Sequence, residues 1–231
     1  MKARNLLFIL CLGFSSLSAV AADNASLNER INDARNVIRQ IMMTPDKGIP
    51  NGIARQATCV GVIPSVKKAA FIVGASYGQG VVTCRTKKGW SAPVFIRLAG
   101  GSVGFQIGGQ ATDLVLVAVN DKGFQDLLKS KFKIGADAAA AAGPVGRNAA
   151  AGTDLRLNAE LLTYSRSKGL FAGIDLNGAV VSQNTDDTNA FYGGNAPHFE
   201  RILHGGVPVP PAARSFVQAV GRYFAAANVD K

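Results

Sequence analysis

The chain has 231 residues, a formal net charge of +10 and 48% hydrophobic residues. It contains no internal repeats of 20–50 residues, long linkers or low-complexity tails, so we predict one domain with a sizeable core. The excess of positive charge favours anionic partners such as phospholipid headgroups, lipopolysaccharide or nucleic acid. The simpler alternative is that many exported bacterial proteins are basic without such a role.

The first 21 residues have the pattern of a secretory signal. Lys2 and Arg4 precede a short apolar segment at residues 6–14, and residues 19–21 (Ala-Val-Ala) fit a cleavage site. The apolar segment is too short to span a bilayer. We therefore predict an exported protein of the periplasm or cell envelope, with a mature domain of residues 22–231. Loss of Lys2 and Arg4 lowers the net charge to +8, and export argues against nucleic acid as a partner.

The three cysteines differ in their expected fates. Cys11 lies inside the apolar segment without a preceding small residue, so lipoprotein anchoring is not predicted. Cys59 and Cys84 enter an oxidising compartment, where pairing is common. If Cys59 and Cys84 lie on the two predicted strands that flank the strand containing Ile72, each is opposite Ile72. The two cysteines are then two strand spacings apart, about 9–10 Å. A disulfide would then need another strand order or strong twist, and two buried thiols are the alternative.

Residues 26–43 are predicted to form an amphipathic helix that begins with a capping box at residues 26–29. Arg35 and Arg39 flank one side of its apolar stripe, and Arg30 flanks the other. The pattern suits a helix in a membrane interface, or a core-packed helix whose arginines reach water, and the lack of aromatic residues favours core packing. The stripe comprises Leu27, Ile31, Ala34, Ile38, Ile41 and Met42.

The middle of the chain, about 57–184, predicts a β core. A short helix from Pro50 to Gln56 precedes it, a helix at 121–130 interrupts it, and a C-terminal helix at about 211–227 follows it. The alternation at 132–141 favours a strand despite its many alanines. We therefore predict an α+β fold, in which about 10–11 short strands form a strongly curled, largely closed antiparallel sheet or barrel between N- and C-terminal helices. The predicted strands are 58–63, 68–76, 79–86, 93–98, 102–108, 113–119, 132–141, 148–157, 160–166, 170–176 and 179–183.

Two turns of this predicted sheet carry positive charge. If strands 58–63, 68–76 and 79–86 form a meander, its first and third turns lie at the same end of the sheet. The side chains expected to converge there are Lys67, Lys68, Arg85, Lys87 and Lys88, followed by Trp90. Such a group fits an anionic lipid surface. The alternative is that the lysines simply lie on solvent-exposed turns and that Trp90 packs in the core.

The sequence offers little support for catalysis. Residues 74–78 match the G-x-S-x-G pattern around Ser76, but a strand follows where the nucleophile motif requires a helix. His198 and His204 are the only histidines and fit no common zinc spacing. We predict no catalytic residues, no metal and no cofactor. Residues 143–147 could present backbone N–H groups and Arg147 to an anion, although a tight turn explains them as well.

Five ordered motifs between about Ile49 and Gly193 resemble the SYLF-domain family. The segment at 164–173 is predicted to form a strand, a Ser-Lys-Gly turn and a second strand, and it carries the resemblance most strongly. The other motifs are Gly78-x-Gly80, Trp90–Pro93, the glycine-rich segment 104–113 and Gly143–Arg147.

The resemblance implies binding rather than catalysis. SYLF domains elsewhere bind membrane lipids, notably phosphoinositides, and yeast relatives also bind actin. Relatives use an N-terminal amphipathic helix and basic residues, for which Arg30, Arg35 and Arg39 are the nearest counterparts. Export argues against actin and phosphoinositides as native partners, so we expect non-enzymatic binding of anionic membrane lipid in the envelope, through phospholipid or phosphoinositide-like headgroups. The alternative is a structural or protein-interaction module, with envelope proteins as partners.

Overall fold

The computed structural model confirms the predicted α+β class. Its sheet is strongly curled into a half-barrel and is packed against helices from both ends of the chain. The residues that it describes are 16–44, 48–70, 73–103, 108–120, 122–123, 125, 129–137, 139–144, 159–167, 170–173, 176 and 178–225.

Five α-helices and one 3-10 helix are described. They are α1 (Ser16–Met43), α2 (Asn51–Gln56), α3 (Thr185–Phe191), α4 (Phe199–Leu203), a 3-10 turn (Pro211–Ala213) and α5 (Arg214–Tyr223). The described strands are β1 (Cys59–Ala70), β2 (Val73–Thr86), β3 (Gly89–Trp90), β4 (Val94–Val103), β5 (Gly108–Ala118), β6 (Lys131–Lys133), β7 (Ala140–Ala142), β8 (Leu161–Ser167), β9 (Leu170–Gly173) and β10 (Val180–Gln183).

The strands join in the order β6-β10-β4-β2-β1-β5-β8-β7, while β3 pairs with β2 and β9 with β8. The described pairs are antiparallel except for β7 with β8, which are parallel. Phe132 of β6 and Leu161 of β8 come from opposite ends of this order but pack in one hydrophobic cluster, as the curl requires.

The predicted short strands are wrong in the first half of the sheet, where four long strands replace them. β1 and β2 form one hairpin, and β4 spans the predicted break between 98 and 102. Pro64 falls in a register shift between Val62 and Lys67 instead of a turn. Gly78 lies inside β2, where a Cβ would come within 2.6 Å of Ile63 Cγ2. The glycine therefore permits close packing and does not mark a turn.

The predicted strand 132–141 is also wrong as a single element. β6 ends at Lys133, Gly135 has a φ of +85°, and the Asp137 carboxylate accepts a hydrogen bond from the Lys133 N–H at 2.7 Å. The chain thereby turns, and β7 pairs with β8 on the other side of the sheet. Residues 122, 123 and 125 of the predicted helix 121–130 are helical. The rest of its core and the predicted strand 148–157 lie outside the described residues.

Consecutive side chains of a strand point to opposite faces of the sheet, so each long strand contributes to two hydrophobic clusters. Val60 and Val62 pack in the cluster under α1, whereas Cys59 and Ile63 pack in the cluster on the opposite face. The hairpin of β8 and β9 follows the same rule and confirms the predicted pairing, with Tyr164 opposite Gly173. The tip of that hairpin, residues 168–169, lies outside the described residues.

The terminal helices close the first of these cores. α1 begins ten residues before the predicted start, because an alanine-rich segment with high helix propensity precedes Ser26. Its stripe is almost wholly buried, so the core-packed interpretation is confirmed. In α5, Phe216 and Val220 are buried as predicted, together with Phe224 just beyond its end. Among the described residues, no helix combines the length and apolarity that crossing a bilayer requires.

Candidate functional site

A surface recess of about 690 Å³ opens where β2 turns into β3. This volume lies within the usual range of ligand sites. We call it the basic pocket, because the described residues of its lining include three permanent cations and a histidine but no carboxylate. Its lining residues are Thr58, Arg85, Thr86, Lys87, Lys88, His204 and Gly205.

A tight turn presents two lysines to this pocket. Thr86 pairs with Gly89, whose φ of +116° favours glycine. The Thr86 hydroxyl donates to the Gly89 carbonyl at 3.1 Å and accepts from the Lys88 N–H at 3.2 Å, which fixes the turn. Lys87 and Lys88 are exposed, and neither has an ion-pair partner among the described residues.

The end of α4 forms the facing wall. Gly205 has a φ of +80°, and a Cβ there would lie 3.0 Å from Thr86 Cγ2. Glycine therefore lets the end of the helix approach the turn closely. His204 Nε2 lies 3.9 Å from the Glu200 carboxylate, an ion pair only when the imidazole is protonated.

Arg85 connects the pocket to the core. Its guanidinium donates to the carbonyls of Ala57 at 2.9 Å and Phe224 at 2.7 Å, with longer bonds to Ala54 and Arg55. These carbonyls end α2 and α5, so one cation satisfies the carboxyl ends of two helices. Burial lowers the pKa of Arg85 below its ordinary value. Arg85 was predicted to contact lipid, but its donors serve the protein's own backbone.

Trp90 packs inside, the second of the two interpretations that the sequence left open. It is 9% exposed and meets Phe224 edge to face at 6.1 Å between ring centroids. The Arg85 guanidinium lies 4.8 Å from the centroid of its ring. The indole therefore supports Arg85 and is not placed for contact with lipid headgroups.

The predicted convergence of Lys67 and Lys68 with Arg85, Lys87 and Lys88 is wrong. Lys67 pairs with Tyr77, eight residues along β2 from Arg85. At about 3.3 Å per residue, the two groups lie about 26 Å apart. The reason is the long hairpin of β1 and β2, which has no turn at residues 77–78 to bring them together.

The arginines of α1 have different environments. Arg30 forms an ion pair with Asp187 of α3, donates to Gln79 Oε1 at 2.9 Å and lies over the Phe95 ring. Arg35 donates to Asn36 Oδ1 at 3.2 Å and is half-buried, whereas Arg39 is exposed. Arg30 therefore holds α1 against the sheet, and Arg39 is the one of these three fully open to a partner.

The β1–β2 hairpin places Cys59 directly opposite Cys84, and the two form a disulfide. Their Cα atoms are 4.0 Å apart and both residues are fully buried. The separation of 9–10 Å expected from three short strands does not arise, because both cysteines lie on adjacent strands. The chain neighbours of the two cysteines, Thr58 and Arg85, line the basic pocket, and the Arg85 N–H donates a hydrogen bond to the Thr58 carbonyl at 2.7 Å.

We expect neither cysteine to react with iodoacetamide in the native, unreduced protein, because the pair is bridged and inaccessible. Mass spectrometry should show two added groups on the mature chain only after unfolding and reduction. Labelling of either cysteine in the unreduced protein would contradict the bridge.

Ser76 does not occupy a nucleophile turn. It lies within β2, which continues to Thr86, and its hydroxyl donates to the Gly100 carbonyl at 3.3 Å. The strand–turn–helix geometry that the G-x-S-x-G motif needs is therefore lacking at this position.

Four residues of the basic pocket were missed by sequence reasoning: Thr58, Thr86, His204 and Gly205. A signal for the last two exists, because Phe199, Ile202 and Leu203 have helical spacing and a glycine follows, which is typical of a helix end. The meeting of that helix end with the β2–β3 turn comes from tertiary packing.

The fold and pocket define a small α+β domain with a basic recess at one end of a curled sheet. A family model described as "Ysc84: Las17-binding protein actin regulator" matches residues 99–223, more than half of the chain. The chain belongs to this Ysc84, or SYLF, family, as its motifs predicted.

Curated relatives support the same assignment. SH3 domain-containing YSC84-like protein 1 is 36% identical over 181 residues in Rattus norvegicus and 34% in Homo sapiens, which is 78% of this chain and 53% and 52% of those proteins. Protein YSC84 of Saccharomyces cerevisiae is 32% identical over 197 residues, 81% of this chain and 42% of the relative. The chain thus spans about half the length of the relatives that it matches.

Proposed function

We propose that this protein is exported and binds anionic lipid surfaces through the basic pocket, without catalysing a reaction. The observation that carries the proposal is the lining of the pocket: Lys87, Lys88, Arg85 and His204 line one recess, and no carboxylate is among its described lining residues. Such a site attracts negative charge regardless of the chemistry that bears it.

The charge around the pocket is sufficient for surface binding. Cations near an anionic bilayer contribute about 1 kcal/mol each, and the attraction decays over a Debye length. Lys87 and Lys88 are free to approach such a surface, and Arg85 adds fixed charge in the wall. Exposed Arg55 and Arg201 lie in the last turns of the bordering helices α2 and α4.

The docked α1 is a poorer candidate for membrane contact. Ile31, Ile38 and Ile41 of its stripe are fully buried against the sheet. Insertion of that stripe into a bilayer would uncover the core beneath it, so α1 contributes to lipid contact only through outward residues such as Arg39. Lys67 and Lys68 belong to the opposite end of the sheet, and the exposed Lys67 serves better as part of a control.

The second candidate is a protein-interaction module of the cell envelope. It is favoured by the family description, which names Las17 binding and actin regulation. A protein partner would be recognised by shape as well as charge, and its binding would depend less steeply on salt than binding to an anionic bilayer.

Flotation with anionic vesicles tests the proposal. We expect the double variant Lys87→Ser/Lys88→Ser to bind about 30-fold more weakly, the effect of two charges at about 1 kcal/mol each. The matched control Lys67→Ser/Lys131→Ser removes the same charge from exposed positions elsewhere and should bind almost as the parent does. Parental binding should fall steeply between low and physiological salt. Equal loss in both variants would show that net charge, and not the pocket, drives binding.

A further inference from the structure

We infer that the end of the sheet opposite the basic pocket is a second binding surface, whose ligand is a linear acidic polysaccharide, a chain of sugar rings that bear carboxylates. The inference goes beyond the proposed function, because it concerns another surface and a ligand that is not a lipid. It rests on one row of side chains, which we call the Tyr77 row. Its members are Lys133, Val180, Ala99, Tyr77, Lys67 and Ala111.

The Tyr77 row crosses six adjacent strands, from β6 to β5. Tyr77 of β2 pairs with Ala99 of β4 on one side and with Lys67 of β1 on the other. Its side chain lies on the same face as that of Val81, four residues further along β2, which packs in the cluster under α1. At about 4.8 Å between neighbouring strands, the row is about 24 Å long. The row therefore belongs to the face that α1 covers elsewhere.

The centre of the row is open to solvent. Tyr77 is 48% exposed, and Met43 is the only other large hydrophobic side chain that is exposed among the described residues. Ala99 and Lys67 in the row, and Ala75 on the same strand, are exposed as well. The tyrosine ring thus stands among small neighbours. Such a ring can pack against the C–H face of a sugar, while its hydroxyl and a nearby ammonium bond the sugar's oxygens.

Lysines supply positive charge on both sides of Tyr77. Lys67 lies on the adjacent strand, about 5 Å away between Cα atoms, and Lys133 lies three strands away on the other side, about 14 Å along the sheet. Both lysines are exposed, and neither has an ion-pair partner among the described residues. A chain of acidic sugars that stacks on Tyr77 therefore meets a cation in each direction.

Carboxylates on the same part of the molecule are engaged by the protein itself. Asp113 forms an ion pair with Arg166 at 3.5 Å, and Asp186 forms one with Arg97 at 3.6 Å. The Asp137 carboxylate accepts a hydrogen bond from the backbone N–H four residues before it. The two lysines of the row are therefore surplus cations, and their charge is complementary to an anionic ligand.

The position of the row in the sheet favours a flexible chain of sugars. At Tyr77 and Lys67 the strands have partners on both sides, so a peptide cannot bind there by strand addition. The cluster on the opposite face joins the two ends of the sheet, which places the row on the convex side of the curl. A flexible chain can follow a convex arc, whereas a rigid partner touches only part of it. A nucleic acid strand uses successive aromatic rings for successive bases, and the row has one.

Calorimetric titration with oligogalacturonate, a defined chain of acidic sugar rings, tests the inference. Tyr77→Ala should weaken binding about tenfold, a typical effect for a tyrosine at the centre of an interface, and Tyr77→Phe should bind almost as the parent does. Lys67→Ser/Lys133→Ser should weaken binding about fivefold, the effect of two surface ion pairs. The matched control Lys87→Ser/Lys88→Ser removes the same charge from the basic pocket and should retain binding. Circular dichroism verifies that each variant is folded.

Two other polyanions control for the class of ligand. Poly-L-glutamate and oligodeoxythymidylate, at the same concentration of charge, should bind more weakly than oligogalacturonate. Their binding should respond to Lys67→Ser/Lys133→Ser but not to Tyr77→Ala, because they are attracted by charge alone. Methyl-esterified oligogalacturonate, which keeps the sugar rings but lacks the charge, should also bind more weakly than the acid.

Oligogalacturonate binding that survives Tyr77→Ala unchanged, or that is lost in the Lys87/Lys88 variant, overturns the inference. Tighter binding of poly-L-glutamate or oligodeoxythymidylate would assign the row to an acidic peptide or a nucleic acid strand and also overturns it. Vesicle flotation measures the proposed function separately. Failure to bind vesicles contradicts that function and leaves this inference standing, whereas failure to bind oligogalacturonate rejects this inference alone.

Discussion

Replacing Arg85 with methionine should lower the free energy of unfolding by about 3 kcal/mol, because hydrogen bonds to charged groups contribute about 1.5–3 kcal/mol each. The substitution leaves the carbonyls of Ala57 and Phe224 without their donor at the ends of two helices. It also removes the cation over Trp90.

Urea denaturation of the mature protein measures this effect. Lys87→Met is the matched control, since it removes a neighbouring exposed charge that has no partner among the described residues, and it should cost less than about 0.5 kcal/mol. Arg85→Lys should be intermediate, because an ammonium keeps the charge but cannot reach several carbonyls at once. If Arg85→Met unfolds at the same urea concentration as the parent, Arg85 does not join the helix ends as described.

A methyl group at Gly80 should be still more damaging. The Cβ of Gly80→Ala would lie 2.0 Å from the Val62 carbonyl oxygen and 2.7 Å from Ile63 Cα. Both atoms belong to the backbone of β1, so relief requires the hairpin to shift where its register is already irregular. We expect a loss of more than about 3 kcal/mol, the upper range for overpacked sites.

Gly52→Ala is the control for this substitution. It makes the same chemical change in α2, where no described atom beyond the adjacent residues and the backbone of the helix itself lies within 4 Å of the added Cβ. Alanine favours a helix over glycine by about 1 kcal/mol, so this variant should be as stable as the parent or slightly more so. Thermal unfolding followed by circular dichroism compares the two, and similar midpoints would contradict the close packing of β2 on β1.

Periodicity in the sequence predicts the terminal helices and the β8–β9 hairpin. The stripe of α1 and the inner face of α5 have helical spacing, and they form one core with the sheet. Leu162 and Tyr164 alternate with Leu161 across β8 as their two-residue period predicts. The predictions of these elements are confirmed because burial of one face gives a regular spacing of apolar residues within each element.

The predicted strand lengths are wrong because glycine occurs both in turns and inside strands where a neighbour leaves no room for a side chain. Gly78 and Gly100 resemble turn residues in sequence, but both lie inside strands where a side chain would collide with a neighbour. Only the neighbouring strand reveals which use applies. The mistaken turns led to two wrong expectations, that Lys67 lies beside Arg85 and that Cys59 lies two strands away from Cys84.

The basic pocket is only partly predictable for a related reason. Lys87, Lys88 and Gly89 follow a strong strand and form a tight turn as expected. The wall formed by His204 and Gly205 lies more than a hundred residues away in sequence, and no local pattern links it to that turn. The role of Arg85 is equally non-local, because its acceptors belong to α2 and to the end of α5.

Hydrogen–deuterium exchange on vesicle-bound protein tests the central claim most directly, because it locates the contact on the molecule. Binding through the basic pocket predicts slowed exchange at residues 85–89 and 203–206, with little change at residues 66–70 and 73–78 at the opposite end of the sheet. Slowed exchange confined to residues 66–70 and 73–78, or to the length of α1, would contradict the account.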